Sequence, residues 1–291
     1  MEKINYGLEK MHEIQLGMYK RMTEVCRSHG LTQFLGFGSL LGAVRDHRII
    51  PWDDAIDVVM PYPDFEKLLA LPREVWGGDL FLQTYGTEPE YPKYYAKLRH
   101  SGTTLITAEF VDCDINQGIY INIMPLVRLS DNPEERKRQV GNAKLYKAIT
   151  ENRPLPSDDG MLSLYSALLL RMTPKRSRAR RRETLKKKVI SHEGEETKDC
   201  FVLAGEVSLM LALPAKWFSS GVEWEFEGLN ANIPAGWHEW LTLRYGDYTV
   251  APISELQDDR ISKFVTLDTE KPYTDYKGKT YCEKINRAGI R

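Results

Sequence analysis

The order of apolar and polar residues along the chain begins with one long amphipathic segment. Residues 6–28 place apolar side chains on a single stripe at helical spacing, and Gly30 follows as a terminator, so this segment is predicted to be a helix. Shorter segments come next: an apolar strand at 34–37, a helix at 39–45, an alternating strand at 55–60 and a helix at 64–71. This alternation predicts a compact α/β core.

The rest of the chain changes character twice. Residues 79–129 are predicted to be rich in strands, whereas residues 131–195 are charged and helical. A mixed segment with a strand pair at 223–233 follows. We therefore predict an α/β (α+β) fold with a mixed-sheet core at 1–130, a basic helical insert at 131–200 and a C-terminal subdomain at 201–291 that completes the core.

The composition is that of an ordinary soluble domain. Of 291 residues, 42% are hydrophobic and 28% are charged, and the formal net charge of -1 gives no global attraction to nucleic acid. The four cysteines are far apart, which argues against a zinc site built on cysteine pairs. No signal peptide is visible, and the longest apolar segment, 162–170, is too short to span a bilayer. A cytoplasmic protein is expected.

A glycine-serine turn is the first local feature that indicates chemistry. Gly36 and Gly38 allow a ligand to approach the backbone closely, and Ser39 places a hydroxyl at a predicted helix N-terminus. Backbone N–H groups at such a terminus favour a phosphate. On its own, a turn of this kind is more often only a turn.

Three acids, Asp53, Asp54 and Asp57, follow at the edge of an apolar strand. They are either solvated loop acids, with Asp57 paired to a base, or ligands of a divalent cation; the turn upstream favours the second interpretation. Positions 55 and 57 of a strand face the same side, so carboxylates at both would chelate Mg²⁺ (or Mn²⁺). Ala55 stands where the second carboxylate is expected.

These motifs resemble those of a known family. Gly-Ser-Leu-Leu-Gly-Ala-Val-Arg at 38–45, followed by Ile-Pro-Trp-Asp-Asp at 50–54, is similar to the signature of the LicD family, relatives of the fukutin-type ribitol-phosphate transferases. The resemblance implies a nucleotidyltransferase-like fold and transfer of a phospho-alcohol, often phosphocholine from CDP-choline, to a hydroxyl of a cell-surface glycan. Further similar stretches lie at 96–99, 103–104, 118–126, 245–248 with Pro252 beyond, and 267–269.

The chain departs from the family pattern at two positions. Ala55 replaces the first acid of an Asp-Ile-Asp motif, and Asn122 replaces the acid of an Ile-Asp-Ile motif. The resemblance implies that these positions supply two of three metal-binding carboxylates, the third acid often acting as base. Asn122 can coordinate through its carbonyl oxygen but brings no charge and accepts no proton usefully. Engineered inactivation, a natural pseudoenzyme, or an active site that recruits Asp53 and Asp54 would each explain the change.

The resemblance also implies roles for individual residues of the acidic set. Asp57, with help from Asp54 or Asp53, is the expected holder of the cation. The catalytic set is then Asp57, Asp54 and Asp53, together with the two altered positions Ala55 and Asn122.

A second group is expected to bind phosphate. Gly38 and Ser39 would grip the nucleotide phosphates, and Arg45, Lys97 and Arg99 are candidate phosphate clamps. Arginine suits this task because its planar fork matches phosphate oxygens. Each of the three cations could instead be a surface charge.

Residues 171–188 hold ten Lys or Arg residues against one acid. Such a run is either a solvated helix face or a contact for an anionic membrane or glycan acceptor. Nucleic acid finds little support, because no aromatic residue interleaves the run. The tryptophans at 217, 224, 237 and 240 are either core residues or a box for a quaternary ammonium group.

The sequence thus predicts a LicD-like, Mg²⁺-dependent transferase that moves phosphocholine from CDP-choline, or a related CDP-alcohol, to a glycolipid, teichoic acid or lipopolysaccharide precursor. It would be cytoplasmic, with optional peripheral contact at the inner face of the membrane. One alternative is a catalytically silent nucleotide- or glycan-binding protein on the same scaffold. Another is a nucleotidyltransferase that acts on an NTP.

Overall fold

The computed structural model describes residues 7–204, 211–250 and 263–283. The helices in these ranges are α1 Glu9–Ser28, α2 Phe37–Asp46, α3 Tyr62–Leu69, α4 Pro133–Glu151, α5 Met161–Met172, α6 Lys175–Val189 and α7 Trp237–Tyr245. The strands are β1 Phe34–Leu35, β2 Asp57–Pro61, β3 Leu80–Gln83, β4 Ala96–His100, β5 Thr104–Thr107, β6 Ile119–Leu129, β7 Asp199–Val202, β8 Leu213–Pro214, β9 Gly221–Phe226, β10 Leu229–Pro234 and β11 Phe264–Asp268.

A mixed sheet organises the molecule. Its strand order is β1-β2-β6-β4-β3, with β2 and β6 parallel and the other neighbours antiparallel. β7 pairs with the C-terminal half of β6 and β8 extends that edge, while β9–β10 and β5–β11 form separate two-stranded pairs. The predicted mixed α/β fold is therefore confirmed.

The core follows from the periodicities in the sequence. α1 buries Met11, Met18 and Met22 along its predicted stripe and packs beside β6. β6 is buried along nearly its whole length, as expected of a central strand with both faces covered. Each large apolar side chain buried in this way stabilises the fold by about 1.5–3 kcal/mol.

Three helices, α4, α5 and α6, account for the predicted helical segment. α4 begins where the side chain of Asn132 accepts hydrogen bonds from the N–H groups of Glu134 and Glu135. α6 packs against α4, and one hydrophobic cluster runs from the first helix through these helices to α7. The domain limits at residues 130 and 200 stay a prediction.

Two features near the N-terminus differ from expectation. The strand predicted at 55–60 begins only at Asp57, and the helix predicted at 39–45 begins at Phe37. Pro252 lies outside the described residues. Within the described ranges, each helix is too short or too polar to cross a membrane.

Candidate functional site

The register of three strands sets Asp57, Asn122 and Lys97 side by side. Asp57 of β2 pairs with Asn122 of β6, which pairs in turn with Lys97 of β4. The Asn122 amide donates from Nδ2 to Asp57 Oδ1 at 2.8 Å, and its Oδ1 accepts from Lys97 Nζ at 2.9 Å. The neutral amide therefore bridges a carboxylate and a cation.

Lys97 and Arg99 both lie against the ring of Tyr120. They lie two residues apart on β4, so both side chains leave the same face of the sheet. Lys97 Nζ is 3.1 Å and Arg99 Cζ is 4.7 Å from the ring centroid of Tyr120, and both cations are buried. We call Asp57, Asn122, Lys97, Arg99 and Tyr120 the strand-end cluster.

Two of the three guanidinium nitrogens of Arg99 donate hydrogen bonds to described residues, and the third does not. Its Nε donates to Gln83 Oε1 at 2.8 Å and its Nη1 donates to the Gly118 carbonyl at 2.7 Å. Its Nη2 is buried and has no hydrogen-bond partner among the described residues. A buried guanidinium nitrogen without a partner is costly, which favours an anionic ligand at this position.

The electrostatics of the strand-end cluster also favour an anion. Burial, and then the neighbouring Arg99 cation, lower the pKa of Lys97 well below its ordinary value. Burial likewise lowers the pKa of Arg99. A phosphate between the two side chains would stabilise both charges, because an opposite charge within a few ångströms favours the charged form.

α1 fixes the loop that carries Asp53 and Asp54, which we call the acidic loop. Sequence reasoning missed this role of α1. Gln15 Nε2 donates to the carbonyl oxygens of Asp54, at 2.8 Å, and Tyr120, at 3.1 Å. The His12 ring contacts the Asp53 carbonyl at 2.8 Å, and burial lowers the pKa of His12, so its neutral form donates this bond. The available signal was a polar glutamine within the apolar stripe of α1.

The side chains of Asp53 and Asp54 lie close to other predicted site residues. Asp53 is buried, and its carboxylate packs so tightly against Gly38 that a Cβ there would lie 2.3 Å from Oδ2. The Tyr120 hydroxyl donates to Asp54 Oδ2 at 3.4 Å. The structure therefore brings the acidic loop to the strand-end cluster on one side and to the first turn of α2 on the other.

Ser39 joins α2 to the start of β2. Its Oγ accepts from the Asp57 N–H at 2.8 Å, and the Gly36 N–H donates to the Asp57 carbonyl at 2.9 Å. The glycine-serine turn thus positions Asp57. Its role in gripping nucleotide phosphates stays a prediction.

Ala55 and Arg45 are placed differently from the other predicted residues. Ala55 is buried in the loop before β2, so the expectation that positions 55 and 57 share one strand face is wrong because the strand starts too late. Arg45 lies at the opposite end of α2 from Ser39, about 9 Å along the helix axis. There it forms an ion pair with Asp46, with Nη2 and Oδ2 2.7 Å apart.

Of the residues predicted to hold a divalent cation, only the aspartates contribute carboxylates. The Ala55 side chain has no ligand atom, and the Asn122 side-chain oxygen accepts a hydrogen bond from Lys97. No group of three or more His, Cys, Asp or Glu side chains that could hold a metal occurs in the described ranges. Asp57 and Asp54 offer the ligand type that Mg²⁺ takes where one or two carboxylates act with substrate phosphates and water.

An aromatic cavity of about 170 Å³ opens next to the strand-end cluster. Tyr95 connects the two, because its ring lines the cavity and its centroid is 6.0 Å from Lys97 Nζ. The inner face of α6 contributes Lys186, which is paired with Glu66 at 2.7 Å. The six aromatic residues of the wall come from four separate segments: Tyr62, Phe65, Tyr85, Tyr94, Tyr95 and Tyr146.

The tryptophans do not form the aromatic box considered from the sequence. Trp240 is a core residue, with its ring 5.4 Å from Phe37 and 5.2 Å from Phe218. Trp224 and Trp237 form a separate pair 5.3 Å apart. Burial of Trp240 in the core excludes one box made of all four.

Part of the chain that carries this site matches a known protein family. Residues 30–115 match the family described as LicD/FKTN/FKRP, nucleotidyltransferase domain. This segment contains the glycine-serine turn, the acidic loop, Lys97 and Arg99. The predicted resemblance to the LicD family is therefore confirmed.

A characterised relative gives a more specific comparison. The chain is 24% identical over 257 residues to the lipopolysaccharide cholinephosphotransferase LicD of Haemophilus influenzae, an alignment that covers 80% of this chain and 88% of the relative. Together the two matches support a role as a phosphotransferase.

Proposed function

We propose that this chain transfers phosphocholine, or a related phospho-alcohol, from a CDP-linked donor to a hydroxyl of a cell-surface glycan. The strand-end cluster carries the proposal, because it sets two buried cations beside a carboxylate in a domain of the LicD type. The name of the relative, a lipopolysaccharide cholinephosphotransferase, supports both the transferred group and the kind of acceptor.

Lys97 and Arg99 bind the donor's phosphates in this mechanism. Arg99 offers the unpartnered Nη2, and the bound phosphate would raise the lowered pKa of Lys97 and so stabilise its charged form. Gln83, Gly118 and the ring of Tyr120 hold the cations in place before the donor binds. This preorganisation lowers the free-energy cost of stabilising charge in the transition state.

Transfer then follows the usual course of phosphoryl chemistry. The acceptor oxygen attacks the phosphorus that carries the alcohol, the bond from that phosphorus to the bridging oxygen breaks, and CMP leaves with the electron pair. Asp57, fixed through Ser39, accepts the proton of the hydroxyl. Mg²⁺ (or Mn²⁺), held by Asp57 and Asp54, would supply further positive charge to the pyrophosphate.

The aromatic cavity is the proposed site of the choline group. Trimethylammonium groups bind over aromatic faces, and this wall carries six rings next to the phosphate-binding cations. Phe65→Leu keeps the wall apolar and removes one ring, so the preference for CDP-choline over CDP-glycerol should fall roughly 3- to 30-fold in binding titrations. An unchanged preference would place the alcohol elsewhere.

A catalytically silent nucleotide-binding protein is the second candidate. Ala55 and the Lys97-bound Asn122 favour it, since neither contributes a carboxylate. The decisive assay measures CMP release from CDP-choline with Mg²⁺ for the chain as given, for Ala55→Asp and for the double variant with Asn122→Asp. Release by the unchanged chain supports the transferase. Release only by the variants identifies an inactivated enzyme, and donor binding without release in all three identifies the silent protein.

The same assay tests the NTP-dependent nucleotidyltransferase. Pyrophosphate release from an NTP, with CDP-choline left intact, would overturn the proposed donor. A glycolipid, teichoic acid or lipopolysaccharide precursor is then offered as acceptor, and incorporation of labelled choline identifies the glycan class.

A further inference from the structure

Helix α5 has two contrasting faces. Ser166, Leu169 and Leu170 are buried on one face. The other face leaves large apolar side chains between 47% and 82% exposed. Their spacing of three, four, seven and eleven residues from the first member puts them on one stripe. We call these residues the α5 stripe: Met161, Leu164, Tyr165, Leu168 and Met172.

Helix α6 also divides into two faces. Its inner cations are engaged: Arg182 lies 3.8 Å over the ring of Tyr85, and Lys186 pairs with Glu66. The outer cations are exposed and form no ion pair with another residue that the structure describes. We call these the α6 cations: Arg176, Arg180, Arg181, Lys187 and Lys188.

An open groove of about 690 Å³ joins the two surfaces. Its apolar wall comes from the α5 stripe, through Leu168 and Met172, and its basic side comes from Arg180 and Arg181. Leu168 and Met172 of the α5 stripe therefore lie on the same side of the molecule as Arg180 and Arg181. Single exposed leucines are common on protein surfaces, whereas a contiguous exposed apolar patch marks an interaction site.

We propose that α5 and α6 form a docking surface for an anionic lipid bilayer. The α5 stripe enters the boundary between headgroups and acyl chains, and the α6 cations contact the lipid phosphates. A bilayer matches both halves of the surface, since it offers apolar depth and negative charge together. A second copy of the chain matches poorly, because a symmetric contact would bring Arg180 and Arg181 close to their own copies.

This proposal goes beyond the transfer reaction and does not depend on it, so its test uses no activity. Co-sedimentation of the full chain is measured with phosphatidylcholine vesicles that contain or lack phosphatidylglycerol. The chain should bind the anionic vesicles much more tightly than the neutral ones, and added salt should weaken binding. The double variant Arg180→Gln/Arg181→Gln should lower the partition coefficient roughly 25-fold, about fivefold for each arginine.

The apolar half is tested by Leu164→Ser/Leu168→Ser, which should lower the partition coefficient roughly tenfold or more. The matched control is Leu243→Ser on α7, because Leu243 and Leu168 are both 52% exposed. Lys20→Gln/Arg27→Gln on α1 is the control for charge. Both controls should bind as the unchanged chain does.

Three outcomes would overturn the proposal. The first is no binding to anionic vesicles, and the second is equal losses in the control and test variants. The third is concentration-dependent dimerisation that Leu164→Ser/Leu168→Ser abolishes, which would assign the α5 stripe to a second copy. Circular dichroism and thermal unfolding of each variant show whether a loss of binding reflects a loss of folding.

Discussion

Replacing Lys97 with methionine separates ligand binding from folding at the strand-end cluster. The lysine is buried, its ammonium donates to the neutral Asn122 oxygen at 2.9 Å, and the ring centroid of Tyr120 is 3.1 Å away. Methionine keeps most of the apolar volume and removes the amine. Lys97→Met is therefore expected to weaken donor binding and to stabilise the ligand-free protein.

The effect of Lys97→Met on donor binding can be estimated from the contact that is lost. A charge-assisted hydrogen bond contributes about 2 kcal/mol, and two unit charges 4 Å apart at an effective dielectric constant of 20 contribute about 4 kcal/mol. Loss of such a contact raises the dissociation constant for CDP-choline roughly 30- to 900-fold.

The stability effect has a defined sign with pH. The folded-state pKa of Lys97 lies below its unfolded value, so between these two values the unfolded chain binds one more proton. The unchanged chain therefore loses up to about 1.4 kcal/mol per pH unit as the pH falls through this window. The advantage of Lys97→Met should be largest at the low-pH end of this window and should shrink as the pH approaches about 10.4, the ordinary lysine pKa.

Urea denaturation across this pH range and isothermal titration with CDP-choline measure the two effects. Lys93→Met is the matched control on the same segment of chain, because Lys93 is also buried but contacts Glu109 and Glu151. An unchanged dissociation constant for Lys97→Met would refute the phosphate-binding role. If Lys97→Met were less stable than the unchanged chain at neutral pH and remained so at high pH, the electrostatic reasoning would be refuted.

The other predictions concern the control lysine and the first turn of α2. Burial alone would lower the pKa of Lys93, but Tyr95 and the two glutamates raise it overall. Lys93→Met should therefore lower the free energy of unfolding, measured by urea denaturation, by about 1–3 kcal/mol below pH 10 and by progressively less above it. Gly38→Ala should lower the free energy of unfolding by about 1–3 kcal/mol, since the new Cβ would lie 2.3 Å from a buried carboxylate oxygen. Gly17→Ala, with open space around it, should raise it by up to about 1 kcal/mol. Equal effects of the two substitutions would contradict the packing argument. Ser39→Ala should cost about 1–3 kcal/mol, because a backbone N–H loses its acceptor, and an unchanged urea midpoint would show that the bond contributes nothing.

The sequence predicted the elements whose burial follows a simple period. The stripe of α1 and the apolar run of β6 are visible as spacings, and both proved buried. The start of β2 was missed by two residues, because the buried residues Ala55 and Ile56 continue the apolar pattern without joining the ladder.

The candidate site was predictable only where its residues are neighbours in the chain. The turn and the acids lie within about twenty residues, so a motif reveals them. The contact between Lys97 and Asn122 depends on strand register, and the aromatic cavity draws on four separate segments. Neither register nor cavity shape is encoded in a local spacing.

The transfer reaction itself can be followed directly by phosphorus NMR. CDP-choline, Mg²⁺ and a glycan acceptor are incubated with the chain, and the pyrophosphate signals of the donor are recorded over time. The proposed function predicts that these signals disappear while CMP and a phosphodiester of the glycan accumulate in equal amounts. Persistence of the pyrophosphate signals, with the donor shown by titration to be bound, would contradict it.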